Sequence, residues 1–97
     1  SRGLGDVYKR QLDVGAGTGF VSLLLAELGH TCKGVDLSEN MLSKAKEKAE
    51  KAGFHNVTFA IGDAEDTKEP ADQYDVVINR HLVWTLPHGE SQYGKTL

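Results

Sequence analysis

The stretch "LDVGAGTGF", residues 12 to 20, sets Gly15, Gly17 and Gly19 between a short apolar run and the helix-forming "VSLLLAELG". Glycine at every second position does not suit a strand or helix running through this point; it suits a tight turn in which backbone takes the place of side chains. A strand, a glycine turn and a helix in that order open an α/β fold built on a parallel sheet.

The alternation continues down the chain. Leu12 to Val14 reads as the end of a first strand, and Phe20 to Leu28 as a helix with Leu24, Leu25 and Leu28 on one face and Gly29 as its stop. "TCKGVDL" is the second strand. Ser38 caps a helix running to about Ala52, with Glu39 in its first turn, Gly53 just past its end, and Met41, Leu42, Ala45, Ala49 and Ala52 as its apolar side. "VTFAIGD" is the third strand, and a polar loop containing Pro70 leads to "YDVVIN", the fourth. Its run Val76-Val77-Ile78 marks a strand covered on both faces. The expected fold is α/β: a Rossmann-like parallel sheet, β-α-β-α-β-β, in the order 3-2-1-4, with right-handed crossovers.

The two ends of the chain depart from this pattern. Residues 1 to 10, "SRGLGDVYKR", lack periodicity, put charge where a central strand should be apolar, and run into "DVYKRQ", which resembles translated adapter DNA. They are set aside as a non-native leader, which leaves residues 11–97 as a partial ligand-binding domain. After Pro87 a helix-like segment stops without an apolar stripe or a cap. The sheet is therefore expected to end at its fourth strand, with the Val76–Ile78 edge unpaired and prone to aggregate.

With 97 residues the chain is one domain with a small core. No apolar run approaches the roughly 18 residues of a membrane span. The single Cys32 has no partner for a bridge or a metal site, which points to a reducing, cytoplasmic setting. Net charge is −3, and the lysines of "KAKEKAEK" are interrupted by glutamates, as on a solvated helix face. Nucleic-acid and membrane partners are therefore not expected. His30, His55 and His88 share no ligand spacing, so no metal is expected either.

In such sheets the ligand lies beyond the carboxyl ends of the strands, and three of those ends carry an acid: Asp13, Asp36 and Asp63. A dinucleotide turn has the form G-x-G-x-x-G, but Phe20 stands at its third-glycine position; a mononucleotide loop needs Lys and Ser/Thr where Phe20 and Val21 stand. Asp36 follows the first strand–helix unit at the spacing of a carboxylate that accepts ribose hydroxyls. Asp63 can accept from an adenine amino group while the Ala64 amide donates to the ring, because a carboxylate cannot donate. Acidic strand ends suit a cationic adenosine ligand better than a pyrophosphate.

Together "LDVGAGTGF", "GVDLS", "IGDAED" and "YDVVINRHLVWTLP" resemble the successive motifs of class I S-adenosylmethionine-dependent methyltransferases, of the small-molecule type similar to quinone-biosynthesis enzymes. The resemblance covers residues 11 to about 87 and implies an enzyme whose cofactor is S-adenosylmethionine, present as an N-terminal fragment. It implies that Asp13, Gly15, Ala16 and Gly17 surround the methionine part and that Asp36 holds the ribose. Leu37 and Met41 would border the adenine, Asp63 and Ala64 would read its edge, and Asn79 would sit by the sulfonium. Arg80 and His81 would face a small-molecule acceptor, with His81 as the candidate base.

Each assignment has a structural rival. Gly15 and Gly17 suit any tight turn, Gly19 suits helix packing, and Asp13 could cap the turn. Leu37 and Met41 could be core, Arg80 a surface ion pair, His81 a hydrogen-bonded structural residue, and Trp84 and Leu86 core or helix-docking residues. Cys32 reads as a small buried apolar residue. For the whole chain the rivals are a non-catalytic adenosine-binding module and a nicotinamide-dependent oxidoreductase.

Overall fold

In the computed structural model, which describes residues 9–63, 70–79, 83–85 and 95–96, the alternation becomes β1 (Arg10–Val14), α1 (Phe20–Glu27), β2 (Thr31–Asp36), α2 (Glu39–Ala52), β3 (Val57–Ile61), a 3-10 turn (Ala71–Gln73) and β4 (Val76–Ile78). Two short strands follow, β5 (Val83–Thr85) and β6 (Lys95–Thr96). The sheet order is β3-β2-β1-β4-β5-β6. The first four of these are parallel, as the alternation requires. Their register pairs Val14 with Val35, Asp36 with Ile61 and Asp13 with Ile78, so the carboxyl ends of β1 to β4 meet along one edge.

β4 is not the unpaired edge expected of it. β5 returns antiparallel and pairs Ile78 with Val83 and Val76 with Thr85, and β6 pairs with β5. Strands of three and two residues are too short to display a period. At its other end β1 begins two residues earlier than its apolar pattern. Arg10 takes part because its guanidinium reaches both carboxylate oxygens of Asp75 at 3.1 Å while the Asp75 amide donates to the Arg10 carbonyl at 2.7 Å. This closes the amino end of the β1–β4 pair.

The two faces of the sheet bury different clusters. Ala26, Cys32, Leu42, Ala45, Ala49, Val57 and Phe59 form the core beneath the helices, and Leu12, Val14, Val35 and Tyr74 form one on the opposite face. Helix α2 is built as its sequence reads: the Ser38 hydroxyl accepts from the Met41 amide at 3.2 Å, and Gly53 ends the helix in the left-handed region. Its apolar side is narrower than expected, because Met41 and Ala52 are exposed.

Helix α1 is rotated relative to its leucine pattern. Its buried residues are Ser22 and Ala26, with Leu23 and Leu25 partly covered, whereas Leu24 and Leu28 are 47% and 59% exposed. Small side chains one turn apart let the helix backbone lie close to the sheet, and this outweighs the larger burial that leucines would offer. Asn56 anchors the far end of α1. Its side-chain amide donates to the carbonyls of Ala26 and His30, both at 2.8 Å, and so ties the helix end to the chain entering β3.

Candidate functional site

The glycine turn crosses over the end of β2 and is tied down there by its own amides. Gly15 and Ala16 both donate to the Val35 carbonyl, at 2.8 and 2.9 Å, and Gly19 donates to Ala16 at 2.9 Å. Gly17 donates to Asp36 Oδ2 at 2.8 Å. All three glycines have positive φ (80°, 59° and 85°), which explains the choice of residue without reference to a ligand. The amides of residues 15, 16, 17 and 19 are thus turned inward. A phosphate cradle would need them to face outward.

Two further glycine roles concern packing. A Cβ on Gly19 would stand 2.8 Å from the Ala45 Cβ and 3.2 Å from the Phe59 ring, so Gly19 serves helix packing, as expected. Phe20 does not occupy the close-packing position that its place in the motif suggests; it is 74% exposed and lines the cleft described below. One residue further along a helix is about 100° of rotation, enough to turn the side chain from the sheet to solvent. Its bulk is therefore no argument against a dinucleotide, and that argument rests on the inward amides instead. Gly34 in β2 went unnoticed in the sequence. A Cβ there would lie 2.9 Å from the Ala16 Cβ and 2.7 Å from Phe59, so Gly34 lets the turn settle onto the sheet. A glycine inside a strand pattern is the signal that could have found it.

Asp13 and Asp36 stand on either side of this turn. The Asp36 Oδ2 holds Gly17 and its Oδ1 accepts from the Ser38 amide at 2.9 Å, which joins β2, the turn and the start of α2. Asp13 is 5% exposed, and its Oδ2 accepts from the Ser22 hydroxyl at 2.7 Å. Burial pushes the Asp13 carboxyl above the usual carboxylate range; the Ser22 hydroxyl and amide pull it back, and the charge of Asp36 adds a smaller upward push. A carboxyl whose folded pKa is raised contributes stability that is fully present below its unfolded pKa and is lost as pH rises through the folded value. Above its folded pKa the Asp13 carboxylate therefore does not favour folding.

Asp13, Gly15, Ala16, Thr18, Phe20, Val21, Ile78 and Asn79 line a cleft of about 280 Å3 at the carboxyl ends of β1 and β4. Among the described residues, Asp13 is the only ionisable side chain in that lining. On the other side of the turn, Leu37, Met41 and Ile61 are 69%, 43% and 59% exposed, and Met41 Sδ lies 3.7 Å from where a Gly17 Cβ would be. Leu37 and Met41 are thus not core. Ile61 joins them through the β2–β3 register, a placement its sequence position alone did not show. The Gly62 amide donates to the Asp36 carbonyl at 3.0 Å, which brings the exposed Asp63 to the end of β2. Ala64, Arg80, His81, Leu86 and His88 lie outside the described residues, as does the Trp84 side chain.

Cys32 is 1% exposed, and burial pushes its thiol up to about 11. Since the thiolate is the reactive form, the folded chain should resist iodoacetamide at neutral pH and become labelled only when unfolded. Rapid labelling without denaturant would contradict the burial of β2.

A family model described as a methyltransferase domain matches residues 6–95. The uncharacterized methyltransferase YcgJ of Bacillus subtilis is 36% identical over 72 residues, 74% of this chain and 28% of its own length. Its crystal structure superposes with a TM-score of 0.70 at 35% identity, covering 76% of this chain and 32% of that one. The ubiquinone biosynthesis O-methyltransferase of Coxiella burnetii is 34% identical over 79 residues, 81% of this chain and 33% of its own length. A coclaurine N-methyltransferase solved with N-methylheliamine and SAH superposes with a TM-score of 0.64 at 25% identity, covering 73% of this chain and 21% of that one. The chain spans about a third of the length of the curated relatives it matches.

Proposed function

The chain belongs to the methyltransferase-domain family, and from that premise we propose that it forms the S-adenosylmethionine-binding part of an enzyme that methylates a small molecule. The observation that carries this reading is the inward-tied glycine turn with a carboxylate on either side. Such a site offers a cation negative charge and apolar surface and gives a pyrophosphate little to hold. The group fits the residues present. Asp13 faces the cationic end, each Asp36 oxygen keeps a lone pair for a ribose hydroxyl, and Leu37, Met41 and Ile61 offer an apolar rim to the adenine beside Asp63. Asn79, in the cleft lining, borders the reacting end.

When bound, S-adenosylmethionine supplies an electrophilic methyl on sulfur. The protein's part is to fix the donor at the strand ends so that an acceptor meets it in line, an effect worth about 7–11 kcal/mol at its largest. His81 is the candidate base, although holding donor and acceptor in line does not by itself require one. The names of the relatives, a ubiquinone-pathway O-methyltransferase and an alkaloid N-methyltransferase, support a small-molecule acceptor. The reading places the protein in the cytoplasm.

Calorimetric titration tests the cofactor assignment. S-adenosylhomocysteine should bind at least about tenfold more tightly than NAD; the reverse order would return the site to a nicotinamide enzyme. Binding without methyl transfer to any acceptor by the full-length enzyme would leave a non-catalytic adenosine-binding module.

A further inference from the structure

We propose that Ser22 is the positioning residue of the cofactor site, holding the Asp13 carboxylate fixed in the lining of the cleft beside Gly15 and Ala16. The inference rests on the functional reading above. Ser22 has no exposed surface, so its hydroxyl has no water to turn to, and it donates to Asp13 Oδ2 at 2.7 Å. Gly19, at the helix N-cap, has no side chain to offer α1.

The arrangement has a direction. A serine hydroxyl carries one proton, and here it goes to the carboxylate. That carboxylate lines the cleft. A carboxylate has about four lone-pair sites, and the Ser22 hydroxyl occupies one of them, which leaves acceptor capacity for a cationic ligand. A larger residue at position 22 would lift α1 from the sheet; an alanine would fit but would remove the donor.

Among the described residues, the ionisable groups facing Asp13 are Asp36 and Cys32, both from β2; β4 contributes none, and the only acid of α1, Glu27, is at the helix's other end. Ser22→Ala should therefore raise the Asp13 titration midpoint, read from carboxyl-carbon NMR of aspartate-labelled protein without cofactor. It should also weaken S-adenosylhomocysteine binding by about tenfold or more, the effect of losing one hydrogen bond to a charged group. Asp13→Asn should weaken binding at least as much, and adding Ser22→Ala to it should cost nothing further, because Ser22 acts only through that carboxylate. Ser22→Cys, similar in volume and a weak donor, gives the same reading as alanine if alanine does not fold.

Additive losses in the double variant, or an unmoved Asp13 midpoint, would overturn the proposal and leave Ser22 a packing residue. If the unsubstituted chain ignores S-adenosylhomocysteine while the midpoint still moves, the functional reading fails and the Ser22–Asp13 coupling stands without a cofactor to serve.

Discussion

Replacing Asp36 by alanine should weaken S-adenosylhomocysteine binding by about 2–3 kcal/mol, or about 30- to 150-fold. Two contributions reach that value. The first is the loss of an ionised acceptor for the ribose hydroxyls. The second comes from the structure alone: Asp36 holds the Gly17 amide at 2.8 Å and the Ser38 amide at 2.9 Å, so its removal frees the glycine turn and the entry to α2 together. Asp36→Asn retains one carbonyl oxygen and should fall between the two affinities. Calorimetry on folded variants measures both, and an unchanged Kd for Asp36→Ala would remove this residue from the site.

Gly19→Ala should cost about 2–5 kcal/mol of stability. An L-residue held at φ 85° pays about 1–2 kcal/mol, and forcing a Cβ to within 2.8 Å of Ala45 adds about 1–3 kcal/mol of overpacking. For a domain of this size that is a fall of roughly 8 °C or more in Tm. Gly15→Ala is the control, since its added Cβ meets nothing within 4 Å and only the backbone term remains at φ 80°. Thermal denaturation of the two variants separates strain from contact. Equal losses would mean that α1 and α2 do not converge on the turn as described.

What the sequence revealed and what it hid divide along a physical line. The four parallel strands and both helices were legible because their signals are local: the apolar runs, the Ser38 cap, the Gly53 stop and the glycine turn. The acids at the strand ends were equally visible, and the register does bring Asp13, Asp36 and the neighbourhood of Asp63 to one edge. Rotation about an axis was not legible. Three leucines on α1 look like a core stripe, yet the small pair Ser22 and Ala26 faces the sheet, because closeness of approach decides which side turns in. For the same reason Phe20 points away from the place its motif position suggests.

Partnerships across the fold were also hidden. That Asp13 meets Ser22, that Gly34 makes room for Ala16, and that Asn56 closes the end of α1 depend on residues 9 to 30 positions apart. No period or spacing reports such contacts. The pairing of β4 with β5 belongs to the same class, since it is set by bonding to a neighbour across the sheet.

The central claim is that the glycine turn and the two carboxylates beside it form a site for an adenosine-bearing cation. Amide-resolved NMR of the chain, with and without S-adenosylhomocysteine, tests it most directly. The account predicts saturable shifts at Gly15, Gly17, Asp36 and Asp63, with the groove formed by Lys46, Glu50 and Phe54 between α2 and β3 unmoved. Shifts confined to that groove, or a dispersed spectrum that the ligand leaves unchanged, would contradict it.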